Sequence, residues 1–364
     1  MYLQNVHLVN FKNHIDRNFD FCRRINCIIG ANGMGKSNLL DAIHYLSMTK
    51  SYLTHGDRLC IRHNEDFFAI HGDFVLNPTI GVNKVSCIQQ KDKRKIFKIN
   101  QKEYERMADH IGLLPSVMIS PYDTDYINGG SEIRRKYFDS VISQANKDYL
   151  NTLIYYNKVL LHRNALLKSM AENNQFSMQD VTVWNEKMLI CGEKIHQTRK
   201  SFLSQFIDVF AQIFNALSPN ETVNICYKSQ LLENDFDTLL SQAWQADCAA
   251  QHSTVGIHKD DFLLTMNSFP VKTYCSQGQQ KTFLIALKLS QFEYIKKQNK
   301  LNPLLLLDDL FDKLDASRIK ELITLVSSNQ FGQVFITDTH AERIKKLFKN
   351  QNVEHKIIEI TVES

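Results

Sequence analysis

Apolar residues recur every three or four positions through SEIRRKYFDSVISQANKDYLNTLIYYNKVLLHRNALLKSM, residues 131–170, a period that predicts helix. The prolines fall at 78, 115, 121, 219, 270 and 303, so none interrupts residues 122–218, and the whole stretch reads as helical with Ser131 as its expected N-cap. The flanks change period. CRRINCIIG, FFAIHGDFVL, KVSCIQQ, KIFKIN, PLLLLDD and QVFITD are short β-branched or apolar runs bounded by turn residues, which predict strands. SNLLDAIHYL predicts an amphipathic helix. The chain therefore reads as α/β at both ends with a helical insertion between them, and expected divisions fall at 1–112, 113–257 and 258–364. No internal repeat or low-complexity linker breaks it.

With 364 residues and 43% hydrophobic content, the chain can bury a large core. Its eight cysteines (22, 27, 60, 87, 191, 226, 248 and 275) form no C-x-x-C pair and read as reduced thiols rather than a zinc site or disulfide scaffold. No basic n-region precedes an apolar run and no membrane-length apolar stretch occurs, so a cytoplasmic location without a membrane partner is expected.

The net charge of +4 conceals an uneven layout. Residues 84–106 hold eight basic against three acidic residues, and 131–204 eleven against seven, whereas 205–260 hold two against seven. Each basic stretch is either a solvated face or a phosphate-backbone footprint. The candidate DNA contacts are Lys91, Lys93, Arg94 and Lys95, with Arg134 and Arg135; for the last two, pairing with acids such as Glu132 or Asp139 is the alternative.

INCIIGANGMGKSNLLDAI matches the P-loop pattern G-x-x-x-x-G-K-[ST] between a predicted strand and a predicted helix. Glycines let successive backbone N–H groups turn inward around an anion, and the helix N-terminus adds its positive end. Gly30, Ala31, Asn32, Gly33, Met34, Gly35, Lys36, Ser37 and Asn38 are thus the expected nucleotide-binding residues, with Lys36 reaching the β and γ phosphates of ATP and Ser37 holding Mg²⁺. A tight strand-to-helix turn without a ligand is the structural alternative.

A P-loop needs an acidic element on a neighbouring strand. Leu304–Leu307 followed by Asp308 and Asp309 supplies one at the carboxyl end of a strand, where α/β sheets bind ligands. Asp308 suits the metal shell, and Asp309 suits orienting or deprotonating the attacking water. Two solvated turn acids are the bland alternative, and these residues do not separate a kinase from an ATPase.

The two motifs lie about 270 residues apart, whereas compact P-loop kinases close that interval sooner. YCSQGQQKT, residues 274–282, precedes the acidic strand. Locally, Ser276 and Gln279 form a capping box, which leaves Gln277, Gly278 and Gln280 unexplained. NFKNH, GANGMGKSNLLDAI, SPYDTDYINGGSEIRRKYFD, YYNKVLLHRNALLK, GIHKDDF, SQGQQKT and LLLLDDLFDKLDASR occur in one order along the chain, and in that order the chain resembles the RecF family of recombination-repair ATPases, relatives of the SMC-type heads.

The resemblance implies an ABC/SMC-type P-loop ATPase head assembled from N- and C-terminal segments, with a mainly helical arm and no long coiled coil. It implies that Lys12 and Asn13 lie near the nucleotide base, and that Ser276, Gln277, Gly278 and Gln279 present a signature to the γ-phosphate held by a partner copy. Lys36, Ser276 and Asp309 are then the catalytic set, Ser37 and Asp308 the metal ligands, and Asp315 the end of a D-loop. It also implies an ATP-dependent homodimer on duplex and gapped DNA, RecR and RecO as partners with RecA downstream, and slow DNA-dependent hydrolysis, since Asp309 stands where many ABC heads have glutamate. The sequence departs from the pattern at Tyr122, where an acid is expected, at SYLTHGDRL, which lacks a basic residue after the aromatic, and in having no glutamine that marks a Q-loop. His340 stands at a switch position or is an exposed loop residue. A small-molecule kinase, which needs no such signature, a transporter subunit, which usually has L-S-G-G-Q and a recognisable Q-loop and lacks a helical insertion of this length, and an ATP sensor without turnover are the competing functions.

Overall fold

In the computed structural model, which describes residues 1–76, 81–311, 316–328, 330–348 and 353–361, the chain divides into two compact units: Met1–Thr124 with Gln277–Ser364, and Asp125–Ser276. The first unit opens with β1 (Tyr2–Phe11), β2 (His14–Asp20), β3 (Ile25–Ile29), α1 (Lys36–Met48), β4 (Phe67–Val75), β5 (Val82–Gln90), β6 (Ile96–Ile99), β7 (Lys102–Glu103) and β8 (Ser116–Ile119). The second holds α2 (Asp125–Asn128), α3 (Ser131–Ala145), α4 (Lys147–Glu172), α5 (Met178–Leu217), β9 (Val223–Lys228), α6 (Phe236–Gln242), α7 (Trp244–Ala250), β10 (Asp261–Met266), β11 (Phe269–Pro270) and α8 (Val271–Tyr274). The first resumes with α9 (Gln277–Asn299), β12 (Leu304–Leu307), α10 (Ala316–Ser327), β13 (Val334–Asp338), α11 (Ala341–Phe348) and β14 (His355–Glu359).

Two sheets build the first unit. The antiparallel sheet runs β2-β1-β4-β5-β6-β7, and the second, in order β14-β3-β13-β12-β8, is parallel throughout. Every residue of β3, β8, β12 and β13 is buried, as in parallel strands covered on both faces, which is why LLLL and INCII show no alternation. Helix α1 shares one core with both sheets: Leu39, Ile43 and Leu46 cluster with Leu8, Phe11 and Phe68 of the antiparallel sheet and with Leu304, Leu306 and Phe335 of the parallel one. Leu39 through Met48 are all buried, so the expectation of an amphipathic helix is corrected. A helix enclosed between two sheets has no solvent face, and its polar Asp41, His44 and Ser47 lie inside.

The second unit is mainly helical. Phe202, Phe206, Phe210 and Phe214 repeat at four-residue intervals along α5 and are all buried, a stripe that seats the helix on its neighbours. The N-cap of α3 is Gly130 rather than Ser131, because Gly130 holds the extended conformation a cap needs and Ser131 is already helical. Charges lie inside this unit. Arg199, 1% exposed, bonds Asp139, Asp260 and the Ile257 carbonyl, and Arg163, wholly buried, bonds Asp247, Ser253 and Asn185.

The units divide at 124/125 and 276/277, not at the 112/113 and 257/258 anticipated from the sequence. Pairing explains both shifts: β8 joins the parallel sheet beside β12, and β10 pairs with β9 across the whole of Asp261–Met266. All eight cysteines are free thiols. Among the described residues, no helix is long and apolar enough to cross a membrane.

Candidate nucleotide site

The loop between β3 and α1 is shaped by two glycines, Gly33 at φ 81° and Gly35 at φ 100°, in the left-handed region that side chains disfavour. The turn between β1 and β2 braces it from below. Asn13 Nδ2 donates to the Gly33 carbonyl at 3.2 Å, and the His14 ring nitrogen Nε2 donates to the Gly35 carbonyl at 3.1 Å. Asn13 in turn accepts from Asn38 at 2.7 Å. With the Gly33 and Gly35 carbonyls engaged by Asn13 and His14, the N–H groups of these turns are available to an anion, as a cradle requires. At Gly35 a Cβ would lie 2.6 Å from Asn13 Oδ1 and 2.8 Å from His14 Nε2, so the brace and the glycine require each other.

Ala31, Asn32 and Gly33 form an exposed crest, while Gly35 and Lys36 are buried. Lys36 Nζ donates to the carbonyls of Gly30 and Ala31 at 3.0 and 3.2 Å, folded over the loop. Among the described residues, no side chain caps α1; Lys36 is its first residue.

Ser37 Oγ donates to Asp308 Oδ1 at 2.8 Å. Asp308 ends β12 and is 2% exposed; burial pushes its carboxyl up to about 6, against hydrogen bonds from Ser37 and Thr337 that pull it down. Thr337, on β13 between the P-loop strand and β12, donates to Asp308 Oδ1 at 2.9 Å and accepts from the Asp309 N–H at 2.8 Å. Asp309 itself is partly exposed and held at φ 44°. An ammonium, an uncapped helix end, a hydroxyl and a buried carboxylate form a donor set that suits a nucleotide phosphate chain with Mg²⁺: Lys36 and the loop for phosphate, Ser37 and Asp308 for the metal. His14 and Thr337 were not singled out from the sequence. His14 could have been found as the end of NFKNH; Thr337 becomes visible only once β13 is known to lie between β3 and β12.

The other candidates scatter. Lys12 Nζ pairs with the buried Asp41 at 2.6 Å, and Asp41 also accepts from the Ser51 hydroxyl and the Tyr52 N–H, each at 2.6 Å. Lys95 turns inward to Asp57, the Thr49 carbonyl and Tyr45. Lys91 pairs with Asp66, Arg94 bonds the Glu105 carbonyl, and Lys93 is exposed. Arg134 makes a two-pronged pair with Asp261 at 2.8 and 2.9 Å, and Arg135 donates to the Asp260 carbonyl. The acids anticipated for these arginines are engaged elsewhere, Glu132 by Lys136 and Asp139 by Arg199. Ser276 and Gln277 are exposed at the start of α9, with Gly278 and Gln279 partly so. Tyr122 is exposed and its neighbour Asp123 buried. His340 is exposed, its N–H bonded to Asp338. Asp315 lies outside the described residues.

The RecF/RecN/SMC N terminal domain model matches residues 2–360. The DNA replication and repair protein RecF of Flavobacterium johnsoniae is 44% identical over 99% of this chain and 100% of its own length, and that of Phocaeicola vulgatus 42% over 99% and 96%. A solved structure of the recombination mediator protein RecF-ATP in the RecFOR pathway superposes with a TM-score of 0.88 at 29% identity, covering 98% of this chain and 95% of that one. An Smc head bound to the C-winged helix domain of ScpA, 15% identical with a TM-score of 0.57 over 100% and 95% of the two chains, shares the fold.

Proposed function

Because this chain belongs to the RecF family, we propose that it is an ATP-dependent recombination mediator: a homodimer closed by ATP on duplex DNA at single-strand gaps, which works with RecR and RecO to promote RecA loading in the cytoplasm. The observation that carries the reading is the contact of Ser37 with Asp308, with Lys36 and Asp309 beside it, drawn from segments 271 residues apart. In this reading Lys36 holds the β and γ phosphates, Ser37 and Asp308 hold Mg²⁺, and Asp309 orients the attacking water. Bound Mg²⁺ would neutralise phosphate charge as the bond to the leaving group weakens. Residues 1–124 with 277–364 are the ATPase head, and 125–276 the arm.

Ser276, Gln277, Gly278 and Gln279, at the exposed start of α9, complete the γ-phosphate site of a second copy. Asn13 acts beneath the loop rather than at the base, and Lys12 supports Asp41. Lys93 is the foremost DNA contact, with Lys91 and Arg94 beside it. Hydrolysis is slow and DNA-dependent, a timer rather than a motor, since a short aspartate, Asp309, stands at the water-orienting position, its backbone N–H held by the Thr337 hydroxyl.

Light scattering with and without ATP and gapped DNA tests the whole reading. A dimer should form with ATP, and Ser276→Arg should abolish it while leaving ATP affinity within about twofold. A wild-type monomer under all conditions would overturn the proposal.

A further inference from the structure

In the first unit, Tyr52 is a meeting point of three segments. Its backbone N–H donates to Asp41 Oδ1 at 2.6 Å, about one turn beyond Ser37 on α1. Its phenol donates to Asp123 and accepts from Lys288 Nζ at 2.8 Å. Lys288, 2% exposed, lies 3.5 Å from the same Asp123 oxygen, and its ammonium stands 5.1 Å from the Tyr52 ring centroid. The second Asp123 oxygen accepts from the Ser120 N–H at 2.9 Å, and His44 of α1 packs edge-on against the ring at 5.0 Å. The hydroxyl is therefore shared between an anion and a cation that are both buried.

Apolar residues of equal volume would fill this space at lower cost, because two charges removed from water regain their hydration only partly from each other. What a buried polar junction supplies is a fixed orientation of the elements it joins. Here those elements are α1, which begins at Lys36 and Ser37, the end of β8, and α9, where Lys288 stands about three turns from Gln277. A pocket lined by Ser120, Asp123, Lys281, Leu284 and Asp309 adjoins the junction, so a shift of Asp123 alters a wall that Asp309 shares.

We propose that Tyr52 is a positioning residue that couples nucleotide occupancy at the P-loop to the signature end of α9. The proposal rests on the ATPase reading above. Displacement of α1 moves Asp41, Asp41 carries the Tyr52 backbone, and the phenol turns Lys288 and its helix. The loop that lacks the expected basic residue thus makes the connection with an aromatic hydroxyl.

Hydrogen–deuterium exchange on the full-length chain, read by mass spectrometry with and without ATP, is the test. In the wild type, ATP should slow exchange both in the P-loop and in residues 277–288. Tyr52→Phe, which removes one oxygen and keeps the ring, should retain the P-loop protection and lose most of that in α9; Lys288→Met should do the same, and the double variant should be no worse than either single one. Turnover should fall about tenfold with KM for ATP within about twofold. Equal α9 protection in wild type and Tyr52→Phe, or none in the wild type, would overturn the coupling, as would loss of both protections together with a lower Tm. A wild type that binds ATP without turnover removes the ATPase reading instead, and the exchange measurement, which needs binding alone, still decides the role of Tyr52.

Discussion

Ser37 Oγ and Asp308 Oδ1 stand 2.8 Å apart across 271 positions of sequence, and this contact joins the P-loop to the strand that ends in two aspartates. Ser37→Ala removes the donor while Thr337 continues to hold Asp308. The expected result is a small loss of stability, about 1 kcal/mol, with a drop of about tenfold or more in Mg²⁺-supported turnover. A Mg²⁺ titration of ATP hydrolysis checks it; an unchanged metal requirement would count against Ser37 as a ligand.

Gly35 is fixed by its φ of 100° and by the side chains beneath it. Gly35→Ala should destabilise the chain by about 2 kcal/mol from the left-handed backbone and the crowding together, and should abolish nucleotide binding. Adding Asn13→Ala should restore part of the stability by emptying the space, without restoring binding. Urea unfolding and a fluorescent-nucleotide titration separate the two effects.

Arg199 lies between the Asp139 and Asp260 carboxylates. Arg199→Met leaves the buried Asp260 and the partly buried Asp139 without their main cation, so a loss of about 3 kcal/mol is expected. Adding Asp260→Asn should recover a measurable part of it in guanidinium unfolding. Independent, additive losses would show that these groups do not form one network.

The basic β5–β7 segment separates into outward and inward side chains. Lys93→Ala should lower the salt dependence of DNA binding by about one unit of slope with Tm unchanged. Lys95→Ala should instead lower Tm, since it deletes bonds to Asp57, the Thr49 carbonyl and Tyr45. The reverse pattern would exchange their assignments.

Burial lowers the imidazoles of His44, His110 and His258 to about 4. Their unfolded forms take up protons near 6.5 while the folded forms stay neutral, so their contribution to stability is complete above pH 6.5 and is lost as pH falls toward 4, at up to about 1.4 kcal/mol per pH unit for each proton. Asp308 opposes them: its raised value means that the folded state takes up a proton first, which favours the fold as pH falls from about 6 toward 3.8. A site-resolved readout is therefore needed. In NMR spectra, three of the thirteen histidines should show no titration between pH 7.5 and 5.5.

The phosphate loop and the strand ending in Asp308 were legible because each needs a local pattern: glycines at fixed spacing, then an unbroken apolar run closed by acids. The helical unit was legible from proline spacing, but its edges were not. Whether residues 116–119 and 261–266 belong to one unit or the other depends on which strands they pair with, and pairing partners lie far away in sequence. The same limit hid Thr337 and Tyr52, whose importance comes from three-dimensional neighbours. Arg134 and Arg135 were expected to contact DNA or, as the alternative, to pair with local acids, whereas Asp261 and the Asp260 carbonyl, some 125 residues on, take them.

The strand that carries the P-loop is flanked by β13 and β14, both of which lie some 300 residues further along the sequence. During translation roughly 300 residues must follow Ile25–Ile29 before its first sheet neighbour exists, a delay of about 15–60 s at ordinary elongation rates. Through that interval the second unit, whose strands and helices are contiguous in sequence, can form on its own while an apolar strand waits exposed. Shielding of that strand during the interval is then a demand on folding separate from the stability of the finished fold.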